Sequence, residues 1–244
     1  MPFDKIEGRR LINTCFGLVK QAIERHEFLG KNSRVLVGVS GGVDSLCLLL
    51  LLLEYNNRYQ RKWEIHACHV DPQFPSWNSD KLKNIFVKHK VPHTIIKAAI
   101  YKRIKTLPYK CFFCSRERRK RLLEVADRLG IFQIALAHHK QDVTETILLN
   151  MIYNGEISTL TPKQPVIQGR FFFIRPLYYF DKRKNLALAQ VYRLPVVKNI
   201  CPYYKDSKRE MVRNFLKRVQ KENPDVYKNI FRSIFHIKKA YMPL

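Results

Sequence analysis

The chain has 244 residues, 46% of them hydrophobic, and 45 Lys and Arg against 20 Asp and Glu give it a net charge of +25. This composition builds one folded domain with a small appendage and excludes a disordered chain, while charge spread along the whole sequence calls for a polyanionic partner. The apolar run at 46–53 stops at Glu54, too short to span a bilayer, and residues 1–10 lack the apolar centre of a signal peptide; a cytoplasmic protein with no membrane association is expected.

Apolar side chains at helical spacing (Ile6, Leu11, Ile12, Phe16, Val19, Ile23) predict a leading helix over 4–29. Strand patterns then follow at 34–39, 63–70, 93–100, 133–139 and 171–175. Helical patterns fill the intervals at 44–57, 78–90, 115–129 and 142–153, with one more at 182–193. Such alternation predicts an α/β fold, a doubly wound parallel sheet with extra N- and C-terminal helices and ligands beyond the carboxyl ends of its strands. The stretch 155–170, with two prolines and two glycines, reads as a long loop. From Ser207 onward the sequence reads as two basic amphipathic helices broken near Pro224. The expected organisation is an N-terminal helix at 1–30, a main domain at 31–206, and C-terminal basic helices at 207–244 within the same globule.

The first strand runs into Ser40-Gly41-Gly42-Val43-Asp44-Ser45 and then into a helix. A glycine pair at that junction turns the backbone tightly and leaves N–H groups pointing outward at a helix N-terminus, an anion cradle. The phosphate loop G-x-x-x-x-G-K-[ST] is absent. The plainer alternative is a glycine turn with Asp44 or Ser45 as a helix cap.

Six cysteines stand at 15, 47, 68, 111, 114 and 201. Cys15, Cys47 and Cys68 lie in apolar segments and are expected as small core residues. Cys111 and Cys114 form a C-x-x-C pair followed by a run of Arg and Lys, able to hold one metal or one edge of a cluster; a redox dithiol or zinc are the alternatives, although no second C-x-x-C is present. Cys201 offers a third soft ligand at the same edge of the sheet. In AHHKQDVTE (137–145), Asp142 with Glu145 fits a capping box, or Asp142 stands beside a nucleotide, holding magnesium or ordering substrate; His138 and His139 are strand-end candidates.

The loop SGGVDS resembles that of the ATP pyrophosphatase superfamily, whose enzymes adenylate a substrate and release pyrophosphate. Together with C-x-x-C-S-R-x-R-R at 111–119, AHH-x-x-D at 137–142, IRPL at 174–177 and NIC at 199–201, it resembles the iron–sulfur tRNA 2-thiolation enzymes, most closely the tRNA 2-thiocytidine synthetases, over roughly 34–235. The sequence departs from that family at Val43, where a lysine is usual, and at Gln141-Asp142, where a paired Asp-Asp is usual. Its CPYY after Ile200 is closer to the 2-thiouridine branch, whose terminal zinc-binding modules it lacks.

The resemblance implies ATP, Mg2+ and a [4Fe–4S] cluster as cofactors, the cluster held by Cys111, Cys114 and Cys201. It implies that Gly41, Gly42, Asp44 and Ser45 cradle pyrophosphate, that Val39, Ser40, His69 and Ala137 line the nucleotide pocket, and that Asp142 and Arg118 assist the chemistry. It implies tRNA as substrate, with the basic helices at 115–121 and 207–221 touching phosphates, and a cysteine desulfurase or free sulfide as sulfur donor; it leaves a homodimer open. Two other readings share parts of this pattern: a lysidine-type tRNA adenylating synthetase without a cluster, and a metal-holding RNA-binding protein lacking ATP chemistry.

Overall fold

The computed structural model describes residues 5–75, 77–194, 201–204 and 207–241. Six strands form one sheet: β1 (Arg34–Gly38), β2 (Glu64–Asp71), β3 (His93–Lys97), β4 (Gln133–Ala135), β5 (Lys163–Val166) and β6 (Phe171–Ile174), in the order β3-β2-β1-β4-β6-β5. All neighbours are parallel except β5 with β6. The order reverses at β1, whose partners are β2 on one side and β4 on the other; the SGGVDS loop leaves the sheet from this central strand.

Alternation along β1 explains why both faces are covered. Val35, Val37 and Val39 point into one core with α1 (Lys5–His26), α2 (Val43–Arg58) and α7 (Lys182–Val191), whereas Leu36 points into the other with α5 (Lys110–Leu129). The leucine run of α2 is buried on nearly every side. Cys15, Cys47 and Cys68 are fully buried, as expected of core thiols. A third cluster joins α6 (Lys140–Asn154) to α8 (Lys208–Glu222) and α9 (Val226–Ser233) through Leu148, Leu149, Val212, Leu216 and Val226. The helix break falls at 223–225, around the expected Pro224. No described helix is long and apolar enough to cross a membrane.

Three expectations need correction. The loop at 155–170 contains β5, and its Pro165 lies opposite Phe172 on the outermost strand, where a missing N–H costs no ladder bond on the open side. The strand expected at 93–100 ends at Lys97; α3 (Asp80–Lys88) precedes it, and buried Ile100 and Ile104, four apart, open the short helix α4 (Ile100–Ile104) instead. The strand expected at 133–139 ends at Ala135. Leu136 still donates to the Ile174 carbonyl at 2.9 Å, and the chain then leaves the sheet and presents His138 and His139 to its carboxyl edge. The apolar run 195–200, with Asn199 and Ile200 of the NIC stretch and the expected boundary at 206, lies outside the described residues.

Candidate active site

The loop after β1 is held by its own serines. Ser45 Oγ donates to the Gly42 carbonyl at 2.8 Å and accepts from the Ser40 N–H at 3.1 Å, while the Gly42 N–H reaches Ser40 Oγ at 3.3 Å. Gly41 has φ +89°, a left-handed conformation that side-chain-bearing residues rarely adopt. The Ser45 and Leu46 N–H groups bond the Gly42 carbonyl at 3.1 and 3.2 Å, so those of Val43 and Asp44, the first two residues of α2, are the ones without intrahelical acceptors, beside the exposed Gly42. Val43, standing where the related family usually has lysine, packs partly buried against the main core.

Carboxylates from two elements meet beside this cradle. Asn185 Nδ2 donates to Asp44 Oδ1 at 2.8 Å. The buried His139 ring bridges the gap, with Nε2 3.8 Å from Asp44 Oδ1 and 3.5 Å from Asp142 Oδ2. Asp142 also accepts from the His139 backbone N–H at 3.0 Å and from Arg209 Nη1 at 3.3 Å. Burial alone would raise the Asp142 carboxyl, but the His139 ring, the Arg209 guanidinium and the backbone N–H together hold it below the usual carboxylate range. Thus Asp142 both caps α6 and faces the loop. Glu145 plays no part in the cap: it is buried in a two-pronged ion pair with Arg213, at 2.8 and 2.9 Å.

His69 stands near the carboxyl end of β2, on the other side of the loop. Its Nδ1–H donates to the Val39 carbonyl at 2.7 Å, leaving Nε2 to accept from Trp77 Nε1–H at 3.0 Å. One nitrogen donates and the other accepts, so the ring is neutral, in keeping with a pKa lowered chiefly by burial and further by the Arg118 charge. The Trp77 indole lies on the SGGVDS loop itself; a Cβ on Gly41 would fall 2.2 Å from Trp77 Cη2. Ala137, partly buried, packs against the main core between β4 and α6.

At the far side of the edge, the helix expected at 115–129 begins five residues earlier, so Cys111 and Cys114 sit about one turn apart at the start of α5. Burial pushes both thiols up, and the sulfurs of Cys111 and Cys201 add to this at Cys114, as Cys201 does at Cys111. Cys201 thus acts on both thiols of the C-x-x-C pair. Arg118 acts against burial at Cys114 and Arg209 does so at Cys111. Arg118 is felt at both His69 and Cys114, and Arg209 touches Asp142 while favouring the Cys111 thiolate.

Cys201 begins a turn in which Tyr204 N–H donates to its carbonyl at 3.2 Å. Tyr203 leans towards Tyr101 and Lys110, and the Tyr204 hydroxyl accepts from Arg213 Nη1 at 2.6 Å. Among the described residues no group of three or more His, Cys, Asp or Glu side chains closes around a single ion. A four-iron cluster takes one thiolate per iron, so Cys111, Cys114 and Cys201 are donors of the kind it takes without sharing one ion.

Three residues escaped sequence reasoning, and a fourth was named without its role. His139 was noted without a partner. Asn185, with its Oδ1 buried and unpaired among the described residues, and Trp77 carried no motif at all. Arg209 was hidden in a run of basic residues, where only its spacing from Val212 and Leu216 places it on the inward side of α8. Arg175 of IRPL is also buried: it donates to Gln164 Oε1 at 2.9 Å, to the Thr161 carbonyl, and to His138 Nδ1 at 3.3 Å. Burial drives His138 down to about 3, so it too is neutral.

A family model described as a PP-loop domain matches residues 18–220. A tRNA-cytidine(32) 2-sulfurtransferase of Coxiella burnetii (strain RSA 493) is 32% identical over 239 residues, covering 96% of this chain and 93% of that protein. The protein of that name from Bdellovibrio bacteriovorus is 33% identical, covering 92% and 88%. Among solved structures, the U34-tRNA thiolase NcsA from Methanococcus maripaludis with its [4Fe-4S] cluster shares the fold at a TM-score of 0.76 and 23% identity, covering 94% of this chain and 79% of that one. With the glycine-built loop, the facing carboxylates and these matches together, the chain belongs to the PP-loop family, in the branch of the tRNA-cytidine(32) 2-sulfurtransferases.

Proposed function

We propose that this chain is an ATP-dependent tRNA sulfurtransferase that converts the C2 carbonyl of an anticodon-loop cytidine, the position 32 named for its relatives, into a thiocarbonyl. The pyrimidine oxygen attacks the α-phosphorus of ATP and the bond to pyrophosphate breaks. Sulfide sulfur then adds at C2, and the C2–O bond breaks with the oxygen leaving on AMP. No oxidant or reductant enters this balance.

The residues divide this work. Gly41, Gly42 and the N-terminus of α2 accept the charge that builds on the departing pyrophosphate. Asp44 and Asp142 are the carboxylates able to hold magnesium there, and neutral His69 closes the nucleotide side with Val39, Ser40 and Ala137. A [4Fe–4S] cluster on Cys111, Cys114 and Cys201 would supply the sulfur, three thiolates leaving one iron open. Arg118 and Arg209 bring positive charge between the two halves, where the adenylate and the incoming sulfide are both anionic.

The observation that supports this reading most is the pair of arginines felt at once at the nucleotide end and at the cysteines. The same reading takes a cysteine desulfurase or free sulfide as donor, the cytoplasm as compartment, and a homodimer as an assembly to be weighed by sedimentation. Nucleoside mass spectrometry of tRNA from a deletion strain tests it: 2-thiocytidine should vanish and return with the wild-type chain. A strain that keeps all its thiolated nucleosides would refute the assignment. Pyrophosphate released from ATP only in the presence of tRNA, and thiolate-to-iron charge-transfer colour after anaerobic purification, separate this enzyme from a cluster-free synthetase and from an RNA binder.

A further inference from the structure

We infer that the groove along the outer side of α8 seats the backbone of a single-stranded stretch of tRNA leading to the target base. The inference rests on the tRNA reading above and assigns the surface that serves it. Two stripes run along α8. Arg209, Val212, Arg213 and Leu216 turn inward, the apolar pair buried and the arginines paired with Asp142 and Glu145. Lys208, Met211, Lys217, Arg218 and Lys221 line the other stripe and, with Tyr153 of α6, an open groove of about 700 Å3.

Charge in this groove is uncompensated. Lys208, Lys217, Arg218 and Lys221 are exposed, and among the described residues none of them makes an ion pair, whereas Arg213 on the same helix holds two carboxylates. Like charges at helical spacing repel, so the stripe weakens the isolated helix and gains only when a polyanion neutralises it. From Lys208 to Lys221 the helix rises about 20 Å, room for several successive phosphates.

Position and aromatic content identify the polyanion. Lys208 Nζ stands 4.0 Å from the Tyr153 ring centre and 5.7 Å from that of Tyr109. Tyr109 is exposed and directly precedes α5, at whose start Cys111 and Cys114 stand. The groove is thus continuous with the cysteine site. Two tyrosine faces that share the Lys208 ammonium are platforms for unstacked bases once Lys208 turns to a phosphate; a duplex would offer its paired bases no such contact.

The test compares tRNA binding by the wild-type chain and by the Lys208→Ala/Lys217→Ala/Arg218→Ala/Lys221→Ala variant across salt concentrations. Losing four contacts should make the slope of log affinity against log salt shallower by about 3, at 0.7 per single-strand phosphate. ATP affinity and iron content should be unchanged, and the thermal midpoint should not fall, since the repulsion along the stripe is relieved. Tyr109→Ala and Tyr153→Ala should each weaken tRNA binding on the order of ten-fold with the slope intact. A four-site variant with wild-type affinity and slope overturns the inference while leaving the sulfurtransferase reading standing. So does one that keeps tRNA but loses an acidic sulfur-donor protein. Wild-type chain that binds no tRNA at any salt sinks both.

Discussion

Arg209 Nη1 donates to Asp142 Oδ1 at 3.3 Å, and Nη2 of the same guanidinium reaches Thr146 Oγ1 at 3.3 Å. That places a helix-α8 cation against a helix-α6 carboxylate, on the side where it also favours a thiolate at Cys111. A charge so placed binds an anionic transition state better than it binds neutral base. Arg209→Met should therefore lower kcat for thiolation by roughly 100-fold, within the range for loss of one preorganised donor, with KM for ATP changed much less. Arg209→Lys should recover part of the rate. Equal losses in ATP affinity and in kcat would mean that Arg209 only positions Asp142 for the nucleotide.

Trp77 makes the SGGVDS loop observable. The chain has two tryptophans, and Trp63 is buried and stacked on Tyr55 with ring centres 5.5 Å apart. In a Trp63→Phe background, ATP should shift the emission of Trp77, because a filled cradle changes the surroundings of an indole resting on Gly41. Gly41→Ala should abolish the response: its Cβ would collide with the indole at 2.2 Å, on a residue already at φ +89°. Adding Trp77→Ala, with ATP binding then followed by calorimetry because no tryptophan remains, should restore binding only in part, since the collision is relieved and the left-handed strain of roughly 1–3 kcal/mol remains. Full restoration would show that the collision alone was responsible.

Much of this site could be read from the sequence, for physical reasons that differ between residues. Gly41, Gly42 and Ser45 are local: a tight turn between strand and helix dictates residue types at fixed spacing, so the loop announces itself. Cys111 and Cys114 lie one turn apart and are equally legible. His139, Asn185 and Arg209 are not, because each acquires its role from a partner on another element: Asp44 is contacted by Asn185, 141 positions away. Gln141 shows the converse. Read as half of a lost acidic pair, its side chain accepts from the Lys182 N–H at 3.0 Å and helps begin α7. Likewise β5 hid behind Pro165, since only sheet order reveals that the strand is an edge.

Acid should destabilise the fold through His69. Its folded pKa lies below the unfolded value of about 6.5, so the unfolded chain binds the extra proton as pH falls. The stabilisation is complete above that unfolded value and is lost progressively below it, towards the lower folded pKa. Urea midpoints of wild type should fall between pH 7 and pH 5, and a His69→Gln variant should show a smaller fall while being less stable at pH 7. Parallel curves for the two proteins would locate the acid sensitivity elsewhere, with buried His138 the next candidate.

Arg213 joins stability to the third cysteine. Its guanidinium holds both Glu145 oxygens, at 2.8 and 2.9 Å, Glu210 at 2.8 Å and the Tyr204 hydroxyl at 2.6 Å, three residues along the turn from Cys201. Only 3% of the Glu145 side chain is exposed, so removing its partner strands a buried charge. Arg213→Met should cost about 3–5 kcal/mol in urea unfolding. Glu145→Leu added to it should recover most of that loss, because two apolar side chains replace a desolvated pair. Iron content separates the two roles. In the stabilised double variant Tyr204 still lacks its donor, so the Cys201 turn is less firmly held and iron per chain should stay below wild type, with tRNA affinity preserved. A double variant that is both stable and fully loaded would show that Tyr203, against Tyr101 and Lys110, is sufficient to hold the turn.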